Sequence, residues 1–134
     1  MTHVTSPEDL LREAKDIQAF CEITVSDNPQ EIAERIASLG TYIARSGKML
    51  ADAKYHLAEK KQDETVRIIS KIIAKDKPSA KVQNALVESI CKDEQYLVDW
   101  LERLNRCCTH QNDAMRSLLS FEKEHLRTSN YQQT

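Results

Sequence analysis

Lys77-Pro78-Ser79 interrupts a chain that otherwise carries two long stretches almost free of helix breakers, Pro29 to about Lys75 and Ser79 to about Arg127. Proline lacks the amide proton a helix needs and crowds the preceding turn, so reversal of direction is cheapest there. The spacing therefore predicts a long antiparallel helical hairpin, all-α and coiled-coil-like. A rod of that kind has long side faces and no deep cleft, which favours binding over catalysis.

Upstream of the hairpin, Ser6-Pro7-Glu8-Asp9 is a helix start: a capping hydroxyl, proline at the first helical position and carboxylates at the positive end of the dipole. A short helix over 7–21 follows, with Leu10, Ala14, Ile17 and Cys21 on one face. The β-branched run Ile23-Thr24-Val25 ends it, and Asn28-Pro29-Gln30-Glu31 repeats the start signal, with Glu31 placed to close a capping box. The reading is one domain over 1–134, with helices at 7–21, 29–75 and 79–127 and flexible tails at 1–6 and 128–134. Lys60-Lys61-Gln62-Asp63-Glu64 pauses the apolar pattern and marks a place for a kink.

Composition agrees. The 134 residues include two glycines and three prolines, far fewer than the roughly 7% and 5% of average proteins. Aromatic residues are only 5%, so aliphatic and small side chains must build the core. A formal net charge of −2 argues against a general nucleic-acid binder, which carries a strongly basic face. No apolar run approaches the roughly 20 residues of a membrane span, and the start of the chain lacks signal-peptide character. A cytoplasmic location with four reduced thiols is the expectation, and no membrane partner.

The first long helix carries two stripes. Ile32, Ile36, Leu39, Ile43, Leu50 and Leu57 make a bulky seam for knobs-into-holes packing. Beside it runs a small-residue seam, Ala33, Ala37, Gly40, Ala44, Gly47 and Ala51, where another backbone could approach closely. Together the stripes exceed what one neighbour needs. At about 1.5 Å per residue each arm would span about 70 Å, and two such helices alone bury too little. The third helix, self-association into a bundle, or both must complete the core, and the seam predicts a homo-oligomer. The second arm repeats the pattern through Leu97, Leu101, Leu104 and Cys108; Gln111 lies on that stripe and Glu94 interrupts it.

Charge placement supplies the candidate sites. No acid occurs between Glu34 and Asp52 or between Glu102 and Asp113, and these gaps hold Arg45, Lys48, Arg103, Arg106 and His110. Folding about Pro78 would set residue 45 level with about 110, making a cationic belt for a phosphate, nucleotide, nucleic acid or acidic protein. The bland reading pairs these cations with residues 1–34, which hold eight acids and two bases. A second basic group, Arg67, Lys71, Lys75, Lys77 and Lys81, sits at the hairpin tip and could touch phosphates without sequence preference.

Catalysis and metal binding find little support. Cys107 and His110 are spaced to supply half a zinc site, but no CxxC or HxxxH provides the other half. Cys108 falls on the core stripe, and no Walker loop, GxGxxG or GxSxG occurs. Trp100 flanks the core at an interface edge. No cofactor and no enzyme activity are expected. The function expected is a non-enzymatic interaction protein that self-associates and binds a protein partner as adaptor, assembly factor or inhibitor. The alternative is a phosphate-ligand, nucleotide or nucleic-acid module using the belt.

Overall fold

A computed structural model describes residues 3–72 and 79–132. It contains four helices: α1, Pro7–Cys21; α2, Pro29–Ile72; α3, Ala80–Ile90; and α4, Lys92–Gln132. Among the described residues there is no strand. The corner at Lys77-Pro78 lies outside them, but its two arms do not. Arg35 reaches Gln111 and Lys60 reaches Glu94, so α2 and α4 run antiparallel as a helical hairpin.

Helix starts obey the local signals. Ser6 adopts an extended conformation and its Oγ accepts the Asp9 N–H at 3.2 Å, with Pro7 at the first position. Asn28 Oδ1 accepts the N–H groups of Gln30 and Glu31 at the head of α2. Glu31 does not close the expected box on Asn28; its carboxylate accepts the Ser26 hydroxyl instead, and Ser26 Oγ in turn accepts the Asn28 N–H. Ser79 caps α3 through Val82 N–H, so the residue after the proline starts the second arm.

Two boundaries differ from expectation. α2 stays helical through Lys60, which is tied to Glu94 at 2.6 Å. The second arm is interrupted instead at Cys91, whose ψ of 18° departs from helical values. Two bonds flank the interruption, Cys91 N–H to Val87 O and Gln95 N–H to Cys91 O. At the other end α4 runs on through Gln132, with the Thr128 hydroxyl bonded back to Glu124 O. Residues 128–132 are therefore helix and not a tail.

The core lies between α2 and α4 and is covered by α1. Leu39, Met49, Leu101 and Leu104 are buried in the middle, and Leu10, Ala14 and Ile17 cover them from α1. Trp100 flanks this core and donates its indole N–H to Gln18 on α1. Asn105 fixes the register of the hairpin: its side-chain amide donates to Ile43 O at 3.0 Å and to the buried Ser46 Oγ at 2.9 Å. Residues 43–46 thus lie beside 105, about 7.5 Å along the rod from the level near 110 that a corner at Pro78 implies.

Candidate functional site

The five cations of the expected belt do not form one surface. Arg45 turns toward α1, where its guanidinium makes two bonds to Glu13, at 2.6 and 3.2 Å, and a third to Thr5 Oγ1. The Glu13 bonds push Arg45 further above its ordinary range, against the opposing effect of burial. Lys48 sits between both Asp52 oxygens, at 2.5 and 2.6 Å, and donates to His3 O. Glu13 of α1 therefore neutralises Arg45, whereas Lys48 is neutralised by Asp52 of its own helix.

On α4, Trp100 and Gln111 face α1, whereas Arg106 is turned to the other flank and pairs with Glu102 along its own helix. Arg103 lines a shallow groove with Tyr96, Asp99 and Trp100, and His110 is exposed on the outer side of α4. Arg45 and Arg106 are near one level of the rod but on different faces. Of the basic tip, Arg67 pairs with Glu64, while Lys71 and Lys81 are exposed; Lys75 and Lys77 lie outside the described residues.

What the α2 cations build is a latch for the chain entering α1. Thr5 is buried, and all three of its polar groups are held by α2. Its N–H donates to Asp52 Oδ2 at 3.0 Å, its carbonyl accepts from His56 Nε2 at 2.7 Å, and its hydroxyl accepts from Arg45. Residues 3–6 are consequently not a frayed tail. Burial alone would raise the Asp52 carboxyl, but the Lys48 bond and the Thr5 N–H together outweigh it and hold the group below its usual range. Sequence reasoning missed Asp52, His56 and Thr5. The available signal was the polar succession Arg45, Lys48, Asp52, His56 at three- and four-residue steps beside the core stripe.

The far end of α1 has its own clamp. Gln111 donates to Cys21 O at 2.9 Å and accepts from Arg35 at 2.9 Å; the Arg35 guanidinium also lies over the Phe20 ring, 4.0 Å from its centroid. Phe20 in turn packs on Tyr42. The polar exceptions on the α4 stripe, Glu94 and Gln111, are thus the residues that tie α4 to α2 and α1.

The small-residue seam faces outward. Ala33, Ala37, Gly40, Ala44, Gly47 and Ala51 are all exposed, on the flank of α2 away from the latch. A methyl placed on Gly40 meets nothing within 4 Å, and one on Gly47 meets only Asn105 Nδ2 at 3.8 Å. Gly40→Ala should accordingly stabilise the isolated chain by about 1 kcal/mol, since an interior helical glycine carries that cost relative to alanine. A rise in urea midpoint at unchanged slope is the expected reading. A loss of stability would mean that another backbone lies against the seam.

Large apolar side chains are uncovered at both ends of the rod. Val66 and Ile69 of α2 and Val82, Leu86 and Ile90 of α3 are exposed at one end, and Phe121, Leu126 and Tyr131 of α4 at the other. Val82, Leu86 and Ile90 recur every four residues and so share one face of α3. Among the described residues no three histidine, cysteine or acidic side chains are grouped to hold a metal ion, and no helix is long and apolar enough to cross a membrane. The chain matches no protein-family model, no curated protein and no solved structure.

Proposed function

We propose that this chain is a cytoplasmic, non-enzymatic helical protein that self-associates and docks a macromolecular partner along its sides, as an adaptor, assembly factor or inhibitor would. The observation that supports this reading is the apolar surface left open at the two ends, eight large side chains on helices whose middle is well packed. Folded monomers rarely leave large contiguous apolar areas in water, and those that do use them for recognition. The seam on α2 is the element suited to self-association, because small side chains let a second helix come close while Ile36, Ile43 and Leu50 alongside are half-buried.

The test is the mass of the chain in solution, measured by sedimentation across a concentration series. An oligomer is expected for the parent chain and a monomer for the triple variant Gly40→Leu, Ala44→Leu, Gly47→Leu. Leucine is a good helix former and these positions are exposed, so the variant is expected to fold. A monomer in both cases removes self-association from the reading. The phosphate-binding alternative would rest on Arg103, Arg106 and His110 without the two α2 cations, and the geometry supports it less.

A further inference from the structure

Three of the four thiols meet where α1 ends. Cys21 is the last residue of α1, and its Sγ lies 3.5 Å from Cys108 Sγ in the middle of α4. The Cys107 thiol also adjoins Cys21 and accepts a hydrogen bond from Gln111 at 3.5 Å. Cys21 and Cys107 are half-buried, Cys108 is fully buried, and Cys91 stands apart between α3 and α4. The function proposed above makes no use of this cluster.

The geometry points to an oxidative modification site: a hydroperoxide converts the Cys21 and Cys108 thiols into an intramolecular disulfide that staples α1 to α4. A disulfide needs the sulfurs about 2 Å apart, so the pair must close by about 1.5 Å. Cys21 can supply that movement because it is a helix-terminal residue followed by the irregular segment up to Asn28. Cys107 and Cys108 are helix neighbours that point about 100° apart, which disfavours a bond between the two.

The chemistry balances in two steps. The Cys21 sulfur gives up its proton and attacks one peroxide oxygen; the O–O bond breaks and the departing hydroxide takes a proton to leave as water. Cys21 is then a sulfenic acid. The Cys108 sulfur attacks the Cys21 sulfur, the S–O bond breaks, and the second hydroxide leaves as water with the Cys108 proton. Two thiols are oxidised by two electrons and one hydrogen peroxide becomes two waters. Burial, together with contacts to Cys108 and Cys107, pushes the Cys21 thiol up to about 12, so little of it is thiolate at neutral pH and the first step is slow.

The staple would reinforce a helix otherwise held by the Thr5 latch and the Gln111 clamp. Full-length protein treated with hydrogen peroxide, alkylated and digested without reductant tests the inference by mass spectrometry. The expected product has lost two hydrogens, yields a linked peptide pair carrying Cys21 and Cys108, and reverts with dithiothreitol. Cys107→Ser should still form the link, whereas Cys21→Ser and Cys108→Ser should not. Oxygen addition without a link, a link through Cys107 alone, or links only between molecules would each overturn the assignment. Hydrogen exchange checks the consequence: α1 amides should exchange about tenfold more slowly after oxidation. A linked product with unchanged α1 exchange would refute the stapling.

Discussion

Substituting Asp52 with alanine should lower the unfolding free energy by about 2 kcal/mol and release the segment that leads into α1. The carboxylate is only 6% exposed and accepts the Thr5 amide, a charge-assisted bond at 3.0 Å. Removing it leaves the Thr5 N–H buried without its acceptor, and that desolvation is the dominant cost. The pair with Lys48 adds little, because the amine is 42% exposed and water screens it. Arg45 and His56 would keep their bonds to the Thr5 hydroxyl and carbonyl, so the latch loosens without leaving the whole segment unbonded. Urea denaturation gives the magnitude, and hydrogen exchange at Thr5 gives the location. An unchanged midpoint with Thr5 still protected would show that the latch holds no stability.

The same carboxylate makes stability acid-sensitive in a defined direction. Its folded value lies below the ordinary one of about 3.9. A depressed carboxyl contributes its full stabilisation above the unfolded value and loses it as the pH falls through the folded value. The parent chain should therefore lose stability on acidification below about pH 4, and Asp52→Ala should show a shallower acid limb over that range. Glu94 adds a second contribution of the same sign. Burial raises it, and the Lys60 bond more than compensates. The variant's acid limb is flattened and not abolished.

The hairpin was legible because its cause is local. Ser6, Asn28 and Ser79 announce helix starts through capping chemistry, and the bulky seam of α2 identifies the face that meets α4. The latch was not legible, because it depends on a contact between residues 47 positions apart. A threonine in an N-terminal tail carries no local mark of burial. The acid excess of residues 1–34 did point to internal neutralisation, but not to which acids would do it; Glu13 serves Arg45, while Lys48 is met by Asp52 from its own helix. Gln111 and Glu94 read as flaws in an apolar stripe. In the folded chain they are its cross-links, which suggests a rule for two-helix rods: a polar residue on the seam is first to be read as a register pin.

Leu101→Ala should cost about 3 kcal/mol, the largest loss expected from any of these single substitutions, and Leu86→Ala less than about 0.5 kcal/mol in the monomer. Leu101 has no exposed surface and belongs to a core cluster that includes residues of α1, α2 and α4, so truncation leaves a void that more than one helix lines. Met49 is unbranched and close in that core; its ability to fill gaps should hold the loss toward the lower half of the 2–5 kcal/mol spanned by such truncations. Because the α1 residues Leu10, Ala14 and Ile17 belong to the same cluster, the variant should unfold in one transition with an unchanged denaturant slope. Leu86 belongs to the exposed face of α3, 43% accessible, where truncation removes few contacts. Its cost therefore reports whether that face is covered in solution. A Leu86→Ala loss near 2 kcal/mol that grows with protein concentration would place the apolar end of the rod in an interface between copies of the chain. A small, concentration-independent loss would leave that end free for a different partner.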